Sequence, residues 1–318
     1  MQAIDSCLWQ TASSIEIVVC DDCSSEDLRS TVESFRDPRI RYHRNDIRLG
    51  ATKNHQQAVS WARGIYVLVL NSDDLVLPEC LEMAVSGLRK WHNAAAAYFA
   101  TTYLTGSTIQ GFHELPRVDF ANNETYLENP WLEKYHGTSP SCCLFRKAAF
   151  DGIGGYRLTL RFAYDWDLYM RFMRQGGGVA FVPEVLTVYR KHPEQMVNDR
   201  SIDGLLDVLD LWRLPEYSHW SSTTIAGLVL THCRDTVRKG HSLLPLLHSL
   251  REYERKYRLW SGIPGALLAK VGLVGGDETD IVGENYRIPN GVELAIQRAK
   301  AMLKDKMNSG QALSGSKG

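Results

Sequence analysis

The stretch Glu16-Ile17-Val18-Val19-Cys20-Asp21-Asp22-Cys23-Ser24-Ser25 decides the fold. Ile15 to Cys20 is a short apolar run rich in β-branched residues, the pattern of a strand buried on both faces. It stops on two aspartates. The same arrangement recurs at Ile65 to Leu70, followed by Asn71-Ser72-Asp73-Asp74. Between the two runs, Ala51 to Ala62 puts Ala51, Asn54, Ala58, Trp61 and Ala62 on one helical face, and Arg39 to Arg44 forms a weaker strand after Pro38. Upstream, Ala3, Ile4, Cys7 and Leu8 recur at helical spacing. Downstream, Pro78 can open a helix with Leu81, Ala84, Val85 and Leu88 as its inward stripe, and Ala94 to Thr102 reads as a further strand. Strands alternating with helices predict an α/β domain with a mostly parallel central sheet over residues 1–200.

Beyond residue 200 the pattern turns helical. Leu205 to Trp212, Thr223 to Arg238, Ser242 to Leu259 and Val292 to Lys306 are helix candidates, giving a helical C-terminal region over 201–307. The Gly/Ser-rich residues 308–318 are expected to be a disordered tail. At 318 residues, 44% hydrophobic and 23% charged, the chain can bury a sizeable core. The 36 Lys and Arg residues against 37 Asp and Glu leave a net charge of −1, which gives no general pull toward nucleic acid. No run is long and apolar enough to span a bilayer, and the N-terminus lacks a positive signal-peptide region. The seven cysteines sit mostly inside apolar runs and read as reduced thiols, which points to a cytoplasmic protein. Cys20 and Cys23 have metal-site spacing, but the chain supplies no second spaced pair, since Cys142 and Cys143 are adjacent.

Chemistry enters at the strand ends. Open α/β sheets bind ligands at the carboxyl ends of their strands. Carboxylates gathered there can hold a hard divalent cation, which in turn neutralises a diphosphate. For one aspartate pair alone, turn and N-cap duty is the ordinary explanation. Two pairs on consecutive buried strands shift the balance toward a site. A third acidic point, Asp165-Trp166-Asp167, opens a helical stretch. Residues two apart on a helix point in different directions, so one carboxylate can face a cleft as a general base while the other caps or pairs.

Six blocks in order resemble the inverting family 2 glycosyltransferases, which have the GT-A fold. They are Glu16 to Ser25; Leu49-Gly50-Ala51-Thr52-Lys53-Asn54; Gly64 to Asp74; Leu144-Phe145-Arg146-Lys147 with Gly154-Gly155-Tyr156; Asp165-Trp166-Asp167-Leu168; and Tyr189-Arg190-Lys191-His192. The resemblance implies a GT-A-like nucleotide-diphospho-sugar transferase fold and a set of roles. Asp22 would contact the nucleotide base, with Asp21 supporting that loop and Lys53 keeping the charge of the family's arginine. Asp73 would lie near the ribose. Asp74 would bind Mg²⁺ or Mn²⁺ bridging the donor diphosphate, with His192 near the metal or the phosphates. Asp165 would deprotonate the acceptor hydroxyl. The donor would be a nucleotide sugar, UDP-linked by preference. The acceptor would be a saccharide or a lipid-linked one, and the product a surface polysaccharide or glycolipid. The stretch Gly106 to Pro140 would carry acceptor specificity.

Three substitutions depart from the family pattern: Asn71 in the metal motif, Cys23 for a glycine, and Tyr164 for the glutamate before the base. The largest departure is that the family's first strand has no counterpart, because Met1 falls within the helix that should follow it. A sheet without that central strand exposes two rows of unpaired backbone groups. This suggests either a chain that starts upstream or an impaired, nucleotide-sugar-binding scaffold. A basic face (Arg251, Arg255, Lys256 and Arg258 beside Leu246, Leu247 and Leu250) could rest on an anionic membrane, giving peripheral contact with its inner face. A solvated helix face is the simpler alternative.

Overall fold

The computed structural model describes residues 1–112, 115, 119–122, 139–193, 195, 201–217, 248, 249 and 252. They fall into two compact units. One draws on Met1–Thr159 and Tyr164–His192, the other on Leu160–Ala163 and Pro193–Tyr286. Of the helices expected after residue 200, the first lies within the described residues, as Ser201–Trp212, and of Ser242 to Leu259 only residues 248, 249 and 252 do, all three helical. The other two helices, the basic face and the tail lie outside them, as does most of Gly106 to Pro140. Among the described residues, no helix is long and apolar enough to cross a membrane.

In the first unit, helix α1 (Gln2–Leu8) precedes strand β1 (Ile17–Asp21), helix α2 (Leu28–Glu33), strand β2 (Ile40–Arg44), helix α3 (Ala51–Trp61) and strand β3 (Tyr66–Leu68). Then come β4 (Leu75–Val76), α4 (Cys80–Lys90), β5 (Ala96–Thr105), β6 (Thr108–Phe112) and β7 (Phe120–Ala121). Strand β8 (Cys143–Arg146), helices α5 (Lys147–Gly152) and α6 (Tyr164–Gln175), and strand β9 (Val179–Lys191) complete it. The α/β class follows expectation; the pairing does not. The sheet is mixed, not mostly parallel: β1–β2 and β5–β9 are parallel, whereas β3–β8, β5–β8, β5–β6, β4–β9 and β7–β9 are antiparallel. The reason is β8, which inserts between β3 and β5, and the order in the larger sheet runs β3-β8-β5-β9-β4.

The sheet is also divided. β1 pairs only with β2, and β3 only with β8, so among the described residues each keeps one open edge. This is where the resemblance places its first strand. Glu16 bridges the two sheets, accepting hydrogen bonds from Arg63 N (2.6 Å) and Gly64 N (2.9 Å) while pairing with Arg41 (2.6 Å).

The predicted stripe of α4 forms the core. Ala84 and Leu88 are fully buried with Cys80, Ala97, Phe99, Leu144 and Ala180, and Leu81 and Val85 pack at its margin. Gly87 lets α4 lie close to β9, since a Cβ there would stand 2.7 Å from Val182 Cγ2. Strand β9 carries Pro183 and Glu184 in its middle. The β5–β9 register jumps there, from Phe99 opposite Val182 to Ala100 opposite Val185, and settles with Thr101 opposite Thr187. The interruption is thus absorbed as a bulge.

Helix α6 ends at three glycines. Gly176 N and Gly178 N both donate to Phe172 O, at 3.2 and 2.9 Å. Gly177 has φ 93°, and a Cβ there would drive into the carbonyl oxygen of Asn93. Gly177→Ala should therefore lower stability by at least the ~1–2 kcal/mol of a left-handed L-residue, read from denaturant midpoints. Gly152→Ala, where a Cβ meets nothing within 4 Å, should be close to neutral.

Candidate active site

The first loop of the site hangs from β1. Asp21 is buried and accepts hydrogen bonds from Ser24 N (2.9 Å) and Tyr42 Oη (2.6 Å), with Arg44 Nε 3.5 Å away. Burial would raise its carboxyl, but the bonds from Ser24 and Tyr42 and the Arg44 charge outweigh it and hold the group below its ordinary range. Asp22 reaches across to the start of α3. Its Oδ1 accepts from Leu49 N (2.7 Å) and Asn45 Nδ2 (3.1 Å), and its Oδ2 from Gly50 N (2.8 Å). A carboxylate there satisfies donors that a helix N-terminus leaves open. Cys23, standing where the family has glycine, has φ 57°. Lys53 is exposed on the first turn of α3. His55, one turn on, packs against Tyr164 and Tyr156 at centroid distances of 5.5 and 6.2 Å. Burial lowers its pKa to about 4, against the pull of the Asp22 charge, so it is a neutral imidazole.

The second loop joins β3 to β4. Here the two adjacent aspartates differ in exposure. Asp74 is fully buried. Its Oδ2 accepts from Ser141 Oγ (2.7 Å) and Asn71 Nδ2 (3.3 Å), and its Oδ1 from Arg190 N (3.1 Å). Burial raises its pKa to about 6, with the Asp73 charge adding to the rise and these hydrogen bonds opposing it. The carboxylate of Asp74 is thus enclosed by neutral donors. Asp73 is the open one. Its Oδ2 lies 3.1 Å from His192 Nε2, and the two side chains are 33% and 34% exposed. The pairing of β4 with the end of β9, Leu75 opposite Val188, brings them together. An aspartate oxygen and an imidazole nitrogen side by side fit a divalent cation that takes its remaining ligands from phosphate oxygens and water. Asn71, in place of a third carboxylate, serves Asp74 and the Ser139 hydroxyl.

The third element is the start of α6. Asp165 Oδ1 accepts from Trp166 N (2.7 Å), and among the described residues no cation or side-chain donor pairs with it. Its charge is felt by Tyr98, Tyr156, Tyr164 and Tyr169. Burial raises its pKa to about 7. Asp167 has the opposite surroundings. It is fully buried and bound to Arg171 Nε (2.8 Å), Arg171 Nη2 (2.8 Å) and Arg157 Nε (3.3 Å). Arg171 also donates to Ile153 O and Gly155 O, which fixes the Gly154-Gly155 turn against the helix. The two aspartates of this block thus divide as helical spacing predicts.

Sequence reasoning missed the piece that joins the second loop to α6, the 3₁₀ turn Pro140–Cys142. Ser141 holds Asp74, the Ser139 hydroxyl accepts from Asn71, and Ser139 O accepts from Tyr169 Oη at 3.0 Å. Nothing in residues 139–142 marks this function; only the tertiary contacts show it.

With the geometry in view, comparison with known proteins gives the class. The structure is similar to the crystal structure of Staphylococcus aureus TarS residues 1–349 in complex with UDP, with a TM-score of 0.57 over 100% of this chain and 89% of that one, at 17% identity. That likeness shows the fold, a GT-A-like one. Residues 1–154 match the family described as Glycosyl transferase family 2, and over this stretch the chain is similar to that family of transferases. An uncharacterized glycosyltransferase of Rickettsia typhi is 26% identical over 212 residues, 66% of this chain and 65% of that protein. The UDP-Glc:alpha-D-GlcNAc-diphosphoundecaprenol beta-1,3-glucosyltransferase WfgD of Escherichia coli is 33% identical over 115 residues, 36% of this chain and 45% of WfgD. The chain thus spans less than two thirds of the length of both relatives.

The Asp165 environment has a measurable signature. The folded protein holds this proton more tightly than the unfolded chain does. The resulting stabilisation is complete below the ordinary carboxylate range and is lost as pH rises through about 7. Asp165→Asn should therefore unfold at a higher temperature than the parent at pH 8, with the difference closing by pH 4, in parallel thermal melts.

Proposed function

We propose that the chain transfers a sugar from a nucleotide-diphosphate donor to an acceptor hydroxyl with inversion at the anomeric carbon, in surface polysaccharide or glycolipid synthesis. The observation that carries this reading is Asp165, a carboxylate without a cation partner among the described residues, with a pKa of about 7. Such a group can accept a proton at neutral pH. Asp165 takes the proton of the acceptor hydroxyl, the oxygen attacks the anomeric carbon, and the bond from that carbon to the diphosphate oxygen breaks with its electron pair going to the diphosphate. Mg²⁺ or Mn²⁺, when bound, supplies charge neutralisation at the leaving diphosphate. Asp73 and His192 are the residues to hold it. Asp74 fixes their loop, Asp21 and Asp22 shape the nucleotide loop, and Lys53 adds positive charge beside it.

UDP is the favoured carrier. TarS was crystallised with UDP and with UDP-GlcNAc, and the name of WfgD gives UDP-Glc as donor and a lipid-linked saccharide as acceptor. The reading carries with it a cytoplasmic location, at the inner membrane face where the acceptor is lipid-linked. The alternative reading is a nucleotide-sugar-binding protein of the same fold without turnover. A donor screen with Mn²⁺ that follows release of the nucleoside diphosphate separates the two.

In that screen the rate should rise with pH through about 7 and vanish with chelator. Asp165→Asn should lose transfer while keeping metal-dependent nucleotide binding; full activity in this variant rejects the base. Asp73→Asn and His192→Ala should each raise the Mn²⁺ concentration for half-maximal rate at least ~10-fold. Asp74→Asn should instead cost about 1–3 kcal/mol of folding stability, because it disrupts a buried, satisfied carboxylate.

A further inference from the structure

The base has an unusual anchorage. Among the described residues its carboxylate is held by backbone N–H groups, that of Trp166 and its own, so its direction depends on the main chain leading into α6. That lead-in, Leu160–Ala163, belongs to the second unit and continues by one peptide bond into Tyr164 and Asp165. In the second unit, helix α7 (Ser201–Trp212) buries Leu205, Leu209 and Leu211. One carboxylate, Asp207, is buried among them. A single oxygen of it, Oδ2, accepts three consecutive backbone N–H groups: Arg161 (2.8 Å), Phe162 (2.6 Å) and Ala163 (2.9 Å). The helix passes close to Phe162, and a Cβ on Gly204 would stand 2.9 Å from its ring. Burying a carboxylate is costly unless it is paired or hydrogen-bonded, and here three amides meet that need. The same three amides are held in a convergent arrangement that no neutral apolar residue could impose.

We propose that Asp207 is a positioning residue for the transfer reaction: it clamps the backbone of residues 161–163 and so sets the direction of the Asp165 carboxylate two residues on. The inference rests on the reading of Asp165 as general base. Asp207 does not touch the reacting atoms. It acts on kcat through the placement of the base and leaves donor binding alone. Asparagine keeps an oxygen that can accept the same amides without the charge, whereas alanine keeps nothing.

The test uses the full chain with Asp207→Ala, Asp207→Asn and, as a control on the same helix, Asp210→Asn, whose carboxylate pairs with Arg213 at 3.6 Å. Asp207→Ala should lower kcat by ~30–100-fold, the scale of a 1 Å misplacement, with KM for the donor and the calorimetric affinity for UDP within about threefold. Asp207→Asn should recover most of the loss, to within about fivefold of the parent, because the amides keep an acceptor. Asp210→Asn should match the parent. Hydrogen exchange supplies a readout independent of turnover: amides 161–163 should lose protection in Asp207→Ala while the rest of the chain keeps it. Unchanged kcat in Asp207→Ala overturns the proposal. So does a fall in kcat matched by an equal loss of UDP affinity, or one that asparagine does not relieve. Should Asp207→Ala fail to fold, the asparagine variant decides alone: parent-like kcat with parent-like protection at 161–163 supports the clamp, and a kcat loss equal to that of Asp165→Asn overturns it. If Asp165→Asn retains full transfer, the base reading fails by itself, and selective loss of amide protection then shows a clamp that does not serve a base.

Discussion

The buried carboxylate of Asp74 is the constraint on which the site depends. It is wholly enclosed, and it binds three segments far apart in sequence: its own loop through Asn71, the turn before β8 through Ser141, and the end of β9 through Arg190 N. A buried ionisable group survives folding only when its lone pairs are met, so these partners are obligatory rather than incidental. Once they are fixed, Asp73 and His192 are left side by side at the surface. The turn that supplies Ser141 also receives Tyr169 from α6, and the helix that carries the base is thereby referred to the same point.

Four aspartates of the site show how one side chain is given different tasks. Asp21 is surrounded by donors and a guanidinium and is kept ionised. Asp167 is locked into an ion pair with Arg171 and Arg157. Asp74 is satisfied by neutral donors in a closed pocket. Asp165 has aromatic neighbours and two backbone amides but no cation among the described residues, which leaves it with the weakest hold on its charge and the strongest appetite for a proton. The tyrosine at 164 in place of an acid moderates this pattern, since a second carboxylate beside the base would have raised its pKa further.

Much of the fold was legible because it rests on local patterns. The β-branched run of β1, the strand at β3 and the α4 stripe with Ala84 and Leu88 follow from burial periodicity alone. The strand β9 was hidden by Pro183, which ordinarily argues against a central strand; the sheet accommodates it by a register jump that no propensity reveals. The three acidic points stood out in the sequence, and the ion pairing of Asp167 beside an Asp165 without a cation partner among the described residues accords with helical geometry. Which of Asp73 and Asp74 is enclosed was not legible, because enclosure depends on Ser141 and Arg190 from distant segments. Asp207 carried no local signal at all, being one of three aspartates in a leucine-rich helix.

The jump in β9 has a consequence for the metal-side residues. Between Phe99 and Thr101 the partner numbers on β9 advance by five where a regular parallel ladder would advance by two, a slip of three residues. Three is odd, and side chains on a strand alternate faces, so the slip inverts which residues of the following segment look which way. His192 thus owes its outlook to the phase of the strand as much as to its own place in the chain. Deleting one residue at Pro183 or Glu184 would turn the rest of the strand over rather than merely shorten it, and would carry His192 back to the position Lys191 now holds.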